Sequence, residues 1–198
     1  MIENIIFDFG DVFINLDKEA TAREMQSFGF RNITPDLGYL FVEYEKGLIS
    51  TEDFLKRTNK LFPKAGKSDL IYAWNAIILD FPEERLRYIE NLAQKKEYRL
   101  FLLSNTNEMH IEFVKKQMGE ERYVRFKSCF ENFYLSHELH LRKPEPEIFE
   151  YVLHTNNLNP EKTLFIDDTE GHTKVAKGLG IKCRHLKVGQ EDILDLNL

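Results

Sequence analysis

Short apolar runs recur along the chain and predict a parallel β-sheet. Five segments fit strands: Asn4–Asp8, Arg99–Ser104, Asn132–Leu135, Thr163–Asp167 and Lys182–His185. Most of them are almost continuously apolar, which is typical of strands covered by helices on both faces. Apolar residues at helical spacing mark the segments around the later strands: Glu83–Gln94, Glu108–Met118, Pro146–His154 and His172–Leu179. This alternation predicts an α/β fold with three layers around a parallel sheet.

One interval, residues 17–81, contains no convincing strand. Its apolar pattern predicts four helices instead: Lys18–Ser27, Leu37–Glu45, Thr51–Phe62 and Ser68–Leu79. Ser50 is a suitable N-cap for the third of these, with Asp53 at the third helical position. We therefore expect residues 17–81 to form a small all-helical cap domain inserted after the first strand. Residues 1–16 and 82–198 would form the α/β core domain.

Composition narrows the function classes. The 198 residues carry a net charge of −6, which argues against a general nucleic-acid or membrane-surface binder, because such proteins need a basic face. The first apolar run is interrupted by Glu3 and Asp8, unlike a secretory signal. The two cysteines, Cys129 and Cys183, have neither a metal-ligand spacing nor a partner set for a disulfide scaffold. We expect a soluble cytoplasmic protein with a small-molecule partner; its oligomeric state is not predicted.

Polar residues stand where the predicted strands end. Asp8 ends the first strand, the Ser104-Asn105-Thr106 stretch ends the second, and Asp167-Asp168 ends the fourth. Each alone fits a helix cap, and Lys143, in the loop before the Pro146 helix, alone fits a solvated surface charge. Ligands of open parallel sheets bind beyond the carboxyl ends of the strands, so together these residues predict one site. Three carboxylates there would repel one another unless a cation neutralised them.

These residue types suit phosphoryl transfer. Carboxylate oxygens from Asp8, Asp167 and Asp168 are hard ligands of the kind Mg²⁺ takes. The Ser104 hydroxyl and neighbouring backbone N–H groups can hold phosphate oxygens at a helix N-terminus. Lys143 adds positive charge, and a carboxylate can itself be the nucleophile that forms an aspartyl-phosphate.

Four ordered motifs carry a family resemblance: IIFDFGDV, FLLSNT, RKPEP and FIDDTEG. With them the chain resembles the haloacid dehalogenase superfamily of hydrolases over essentially its whole length, because four motifs in order are far more specific than any one. The stretches YEKGLISTEDF and LLSNTNEMH make it similar, more narrowly, to bacterial sugar-phosphate phosphatases of the α-glucose-1-phosphate phosphatase kind. The resemblance implies a Rossmann-like core with a helical cap inserted after the first motif.

The resemblance also implies roles for the motif residues. Asp8 would be the nucleophile and a metal ligand, and the Gly10 backbone carbonyl a further ligand of Mg²⁺. Asp168 would bind the metal directly, and Asp167 either directly or through water. The phosphate would be held by the motif residues Ser104, Asn105 and Lys143.

The first motif departs from the family pattern at Gly10. Most phosphatases of the superfamily carry a second Asp there, which protonates the leaving oxygen and later activates water. Such acid–base help is typically worth ~10²–10⁴-fold in rate. Asp11 is one residue too far along to be simply the same group; it either swings into the role or is a solvated turn residue, which we favour. A sugar 1-phosphate, with its better leaving group, is consistent with Gly10.

A second departure is His172, where relatives often have Asn. We expect it to affect how the Asp168 loop is held and assign it no catalytic role. Substrate selection is expected in the cap. The candidates for substrate contact are Phe13, Tyr44, Trp74 and Asn75, although aromatic residues in a helical cap are more often core. His110 either faces the site or is a surface histidine.

Three functions are consistent with these motifs. The leading one is a Mg²⁺-dependent phosphatase acting on a small phosphorylated metabolite, such as a hexose 1-phosphate. A 2-haloacid dehalogenase, in which Asp8 attacks carbon, needs no metal; the Asp167-Asp168 pair and the lack of Tyr at position 10 argue against it. The third is a weakly active or inactive phosphate-binding protein, or a phospho-acceptor switch. Receiver-type switches use similar residues but are shorter and lack a large helical insert.

Overall fold

The computed structural model describes Met1–Leu198 and contains one five-stranded parallel sheet. The strands are β1 (Asn4–Phe7), β2 (Arg99–Ser104), β3 (Asn132–Leu135), β4 (Thr163–Asp167) and β5 (Lys182–His185), arranged in the order β3-β2-β1-β4-β5. The predicted α/β fold is therefore confirmed. Strand β1 ends one residue earlier than predicted, so Asp8 is the first residue beyond it, although its N–H still donates to the Ile166 carbonyl at 2.9 Å.

Strand β1 lies at the centre of the sheet and sets the position of the site. All four of its residues are buried. Phe7, its last residue, is in register with Leu102 of β2 and Ile166 of β4. Because the three strands run in parallel and end within two residues of one level, the residues at their carboxyl ends meet at one edge of the sheet.

Ten α-helices surround the sheet or form the inserted segment. They are α1 (Ala20–Met25), α2 (Pro35–Glu45), α3 (Thr51–Leu61), α4 (Lys67–Asn75), α5 (Glu83–Lys95), α6 (Glu108–Met118), α7 (Glu120–Lys127), α8 (Ser136–Leu139), α9 (Pro146–Thr155) and α10 (Glu170–Gly178). The Ser50 hydroxyl accepts from the Asp53 N–H, as a helix N-cap does. No helix is both long enough and apolar enough to cross a membrane.

Helices α7 and α8 were not predicted. Helix α7 follows Gly119 and buries only Tyr123 and Phe126 among charged neighbours. Two buried aromatic residues in eight positions make too weak a periodic signal to distinguish a helix from a loop. Phe126 nevertheless lies at the centre of an aromatic cluster, with the rings of Phe13 and Phe81 both 5.0 Å away, centroid to centroid.

The inserted helices α1–α4 have a hydrophobic core of their own, which includes Leu40, Tyr44 and Phe54. Met109 of α6 belongs to the same cluster, so these four helices, called the cap below, pack directly against α6. The chain enters and leaves the cap along two paired segments. Leu16 and Ile78 form an antiparallel bridge. Helix α4 therefore ends at Asn75, four residues before the predicted end, because the following residues pair with the entering segment.

Candidate active site

Three carboxylates converge at the edge where β1, β2 and β4 end. Asp8, Asp167 and Asp168 each place one oxygen within 4.8 Å of the others. Lys143 lies between two of them: its Nζ donates to Asp8 Oδ1 and to Asp167 Oδ2, both at 2.7 Å. The Lys143 side chain is fully buried. Lys143 is therefore not a solvated surface charge, the interpretation that fits it when taken alone; it lies among the carboxylates with which the sequence grouped it.

Burial and the neighbouring charges set the protonation states in this cluster. Burial raises the pKa of Asp8, and the adjacent carboxylates add to the effect against the opposing charge of Lys143. Burial acts on Asp167 in the same direction, but Lys143 and His172 outweigh it and lower the pKa of this carboxyl. A cation placed among the three carboxylates would favour the ionised form of Asp8.

The oxygen donors fit a magnesium ion. The three carboxylates offer only hard oxygen atoms, the kind of ligand that Mg²⁺ takes, and one oxygen of each lies within 4.8 Å of the others. The three carboxylates carry more charge than the two lysines in contact with them, since Lys143 lies between Asp8 and Asp167 and Lys18 contacts Asp168. Site chemistry and charge both favour a divalent cation.

The Ser104 and Asn105 side chains differ in how they are held. Ser104 ends β2, is buried, and has only a long contact of 3.5 Å to the Asn105 carbonyl. The Asn105 amide makes two hydrogen bonds to the Lys143 backbone: its Nδ2 donates to the Lys143 carbonyl at 2.8 Å, and its Oδ1 accepts from the Lys143 N–H at 2.9 Å. Asn105 therefore anchors the backbone that carries Lys143, a role that its sequence position did not reveal.

Gly10 has a packing constraint of its own. A Cβ at this position would lie 2.7 Å from Leu16 Cδ1. Leu16 occupies the space that a side chain would need, so it would have to rotate before an acidic residue could enter. The missing acid–base group at position 10 is thus accompanied by an apolar side chain that fills its place.

Asp11 is a buried turn residue rather than a solvated one. Its φ of +54° lies in the left-handed region, which Asp tolerates better than most residues. Oδ1 accepts from the Leu16 N–H at 3.0 Å, and Oδ2 lies 2.8 Å from Lys18 Nζ. Lys18 also donates to Asp168 Oδ2 at 2.6 Å, so it links this turn to the carboxylate cluster.

His172 contacts Asp167, one of the three clustered carboxylates. Its Nδ1 lies 3.1 and 3.0 Å from the two carboxylate oxygens of Asp167. The Thr169 N–H donates to Asp167 Oδ1 at 2.7 Å. His172 thus contacts the first Asp of the pair, whereas the sequence interpretation connected it with the loop of the second.

Two of the candidates for substrate contact lie inside hydrophobic cores. Phe13 is fully buried, with the rings of Phe7 and Phe126 at 5.5 and 5.0 Å. Tyr44 is buried in the cap, where its ring stacks on Phe54 at 4.2 Å and its hydroxyl accepts from the Met109 N–H. Both expectations are corrected by the structure, because neither side chain faces the carboxylates.

The other two candidates lie at the seam between cap and core. Trp74 Nε1 donates to Asn107 Oδ1 at 3.2 Å, and the Trp74 ring stacks on His110 at 5.3 Å. Asn75 borders a separate groove beside α6, and its buried Oδ1 has no hydrogen-bond partner. Trp74 and Asn75 therefore do not line the cavity next to Gly10, contrary to expectation, whereas His110 does.

A cavity of about 120 Å³ opens beside Gly10, Ser104 and Asn105. Its far wall comes from the cap and includes Glu45, the last residue of α2. Glu45 pairs with Arg142, whose Nη2 lies 2.9 Å from Oε2. Sequence reasoning missed both residues. The sequence did contain a signal for Glu45: an acidic residue at a helix C-terminus interacts unfavourably with the helix dipole, which suggests a role other than helix stability.

Comparison with known proteins identifies the family. The family model for haloacid dehalogenase-like hydrolases matches residues 2–180. The D-ribitol-5-phosphate phosphatase of Bacteroides thetaiotaomicron is 28% identical over 188 residues, which cover 92% of this chain and 90% of that enzyme. A solved haloacid dehalogenase family enzyme from the same organism, in a magnesium complex, is 36% identical, with 96% of each chain covered and a TM-score of 0.85.

Two further solved structures differ in what their similarity indicates: one indicates the family, and the other indicates only the fold. The same Bacteroides enzyme, in complex with magnesium and inorganic phosphate, is 35% identical with a TM-score of 0.80; the match covers 96% of this chain and 97% of that one. The L-2-haloacid dehalogenase of Xanthobacter autotrophicus is 17% identical with a TM-score of 0.61, covering 98% and 81%, and shares only the fold. The motifs, the site geometry and these matches together show that the chain is an enzyme belonging to the family of haloacid dehalogenase-like hydrolases.

Proposed function

We propose that this chain is a Mg²⁺-dependent phosphatase that hydrolyses a small phosphate monoester through an aspartyl-phosphate on Asp8. The observation that carries the proposal is the buried cluster in which Lys143 contacts both Asp8 and Asp167 at 2.7 Å, with Asp168 alongside. The names of the relatives support it, since they include a sugar-alcohol phosphate phosphatase and an enzyme complexed with magnesium and phosphate.

Asp8 is arranged for nucleophilic attack. Lys143 holds Oδ1, while no hydrogen bond within the chain holds Oδ2. In the proposed reaction one Asp8 oxygen attacks phosphorus, the ester P–O bond breaks, and the leaving oxygen takes a proton from a water, which becomes hydroxide and later takes up the proton that the attacking water loses. A second water then attacks phosphorus, which releases inorganic phosphate and restores the Asp8 carboxylate.

The remaining motif residues would stabilise charge. Magnesium, held by Asp8, Asp167 and Asp168 with the Gly10 carbonyl, would supply positive charge to the phosphate and to the crowded carboxylates. The Lys143 ammonium and the Ser104 hydroxyl would hold phosphate oxygens at the end of β2. Asn105 would contribute chiefly by fixing the Lys143 backbone, because its amide is already paired with that backbone at 2.8 and 2.9 Å.

We propose sugar and sugar-alcohol monophosphates as the substrate class. Hexose 1-phosphates are included as expected substrates, because their leaving oxygen needs little protonation and Gly10 provides no acidic side chain. The 28%-identical relative is named for D-ribitol 5-phosphate, whose leaving group is an ordinary alcohol. That relative supports the wider class rather than 1-phosphates alone.

The test is phosphate release from a panel that contains D-ribitol 5-phosphate and glucose 1-phosphate. We expect turnover by the native protein with Mg²⁺, none after chelation, and none by Asp8→Asn. Asp36→Asn, which changes an exposed carboxylate in the first turn of α2, is the matched control and should keep full activity. Turnover no higher than that of Asp8→Asn would leave only phosphate binding, and chloride release from 2-chloropropionate would point to dehalogenation.

A further inference from the structure

The cavity beside Gly10 carries one charged side chain, and that charge is negative. Its lining is mostly apolar, with neutral polar groups at the β2 end. Glu45 alone among the lining residues bears a formal charge, apart from the weakly basic His110. Burial lowers the pKa of His110 to about 4, so this imidazole is neutral near pH 7. Burial raises the pKa of Glu45, and the guanidinium of Arg142, which pairs with it, opposes that rise. Arg142 is not among the lining residues, so the pair presents its carboxylate end to the cavity.

One carboxylate oxygen of Glu45 is held by a neighbouring side chain, and the other is not. Oε2 accepts a hydrogen bond from Arg142 Nε at 3.1 Å, and Arg142 Nη2 lies 2.9 Å from the same oxygen. The main-chain carbonyl of Glu45 accepts from Ser136 Oγ at 2.6 Å, which fixes the end of α2 against the core domain. No hydrogen bond within the chain holds Oε1. This oxygen is an unpaired acceptor on a side chain that lines the cavity and whose other oxygen is held by Arg142.

We infer that Glu45 is a specificity-determining residue: it accepts a hydrogen bond from a hydroxyl of the leaving group and excludes leaving groups that carry a second anionic charge. The inference rests on the proposed phosphatase function and goes beyond it, because it separates neutral polyhydroxyl leaving groups from phosphorylated or carboxylated ones. A hydroxyl meets a free carboxylate oxygen favourably, whereas a second phosphate or a carboxylate would face a negative charge in a partly buried space.

The pairing of Glu45 with Arg142 leads to a second expectation about anionic leaving groups. In the native protein Glu45 neutralises its guanidinium. Replacing Glu45 by Gln removes the negative charge and leaves the Arg142 charge uncompensated beside the cavity. The variant should therefore become more tolerant of anionic leaving groups, and the tolerance should depend on Arg142.

The Glu45–Arg142 pair also has a structural role, since it connects the cap to the loop that carries Lys143. A loss of activity alone would not distinguish this role from substrate contact. The ratio of activities toward two substrates does, because loosening the cap lowers both, whereas a specificity residue changes their ratio. Inhibition by inorganic phosphate, which needs only the phosphate site, is the second readout and should stay unchanged.

The experiment compares kcat/KM for D-ribitol 5-phosphate with that for 3-phosphoglycerate in the native protein, Glu45→Gln and Glu45→Gln/Arg142→Gln. Glu43→Gln is the matched control, because Glu43 lies on the same helix and pairs with Arg57 instead. We expect the native protein to prefer D-ribitol 5-phosphate. In Glu45→Gln the ratio of kcat/KM for D-ribitol 5-phosphate to that for 3-phosphoglycerate should fall by about tenfold. In the double variant any increase in kcat/KM for 3-phosphoglycerate should be lost. Glu43→Gln should keep the native ratio.

Two results would overturn the inference while leaving the phosphatase proposal intact: native preference for 3-phosphoglycerate, or a ratio unchanged in Glu45→Gln. The first needs no variant, so it decides the matter even if Glu45→Gln does not fold. Absence of turnover on every ester by the native protein would overturn both.

Discussion

The Leu16 N–H donates to Oδ1 of Asp11 at 3.0 Å and fixes the turn that follows the proposed nucleophile. Lys18 holds the other oxygen of Asp11 at 2.8 Å. Both carboxylate oxygens are thus engaged, in a residue that is buried and has a left-handed backbone. This arrangement favours a structural role for Asp11 over the swinging acid–base role.

Asn and Ala substitutions at Asp11 separate these two roles. Asp11→Asn keeps an acceptor for the Leu16 N–H, so we expect kcat within about threefold of native. Asp11→Ala leaves a backbone donor unpaired, which should lower the free energy of unfolding by about 1–3 kcal/mol. Phosphate release and denaturant unfolding measure the two effects. A fall of ~10²-fold or more in kcat for a folded Asp11→Asn would assign proton transfer to this residue.

Asn105 is predicted to act through Lys143. Asn105→Ala removes two hydrogen bonds that fix the Lys143 backbone, at 2.8 and 2.9 Å. We expect kcat/KM to fall by about 10- to 100-fold, because even small displacements of a charged group at a reacting centre are costly. Asn159→Ala, at the cap of a distant turn, is the control and should change neither kinetics nor fold. Native kinetics in Asn105→Ala would show that the Lys143 loop holds its position unaided.

Magnesium should stabilise the folded protein through the carboxylate cluster. A ligand that binds only the folded state adds about 2.7 kcal/mol at a concentration 100 times its Kd. We expect the thermal unfolding midpoint to rise with Mg²⁺ in the native protein and in Asp36→Asn, but much less in Asp168→Asn. An equal rise in all three would place the bound ion elsewhere.

Helix α7 should be essential to the core despite its charged sequence. Phe126 is fully buried among aromatic rings, and Phe→Ala changes in cores typically cost about 3–5 kcal/mol. Val124 lies two residues away on the same helix and is 54% exposed. Val124→Ala should therefore change the free energy of unfolding by less than about 0.5 kcal/mol. Similar effects of the two substitutions in urea unfolding would contradict the packing of α7 described above.

The strands and the carboxylate cluster were predictable because both follow from short-range pattern and simple topology. An apolar run such as Thr163–Asp167 predicts its own strand, and parallel strand ends bring Asp8 and Asp167 together. Glu45 and Trp74 depend instead on how the cap docks onto the core. No periodicity encodes that docking, since it is set by long-range contacts such as the Glu45–Arg142 pair and the contact between Trp74 and Asn107.

The docking of Trp74 beside His110 predicts a pH dependence of stability. Asn107 Oδ1 accepts from Trp74 Nε1 and from the His110 N–H, so Asn107 Nδ2 faces His110 Nδ1. The imidazole therefore accepts at Nδ1 and donates from Nε2 to the Trp74 carbonyl at 2.9 Å. Both contacts suit the neutral ring, and burial lowers its pKa from 6.5 to about 4.

The sign of the effect follows from that depressed pKa. Between pH 6.5 and 4 the unfolded chain binds a proton at His110 that the folded chain does not, so the free energy of unfolding falls as the pH falls. One such proton contributes a slope of at most about 1.4 kcal/mol per pH unit, and the contribution is fully present above pH 6.5. Urea unfolding across this range should show a shallower slope for His110→Gln than for the native protein. His154→Gln, on the exposed face of α9, is the control and should keep the native slope. Identical slopes for all three proteins would mean that the cap does not hold His110 neutral.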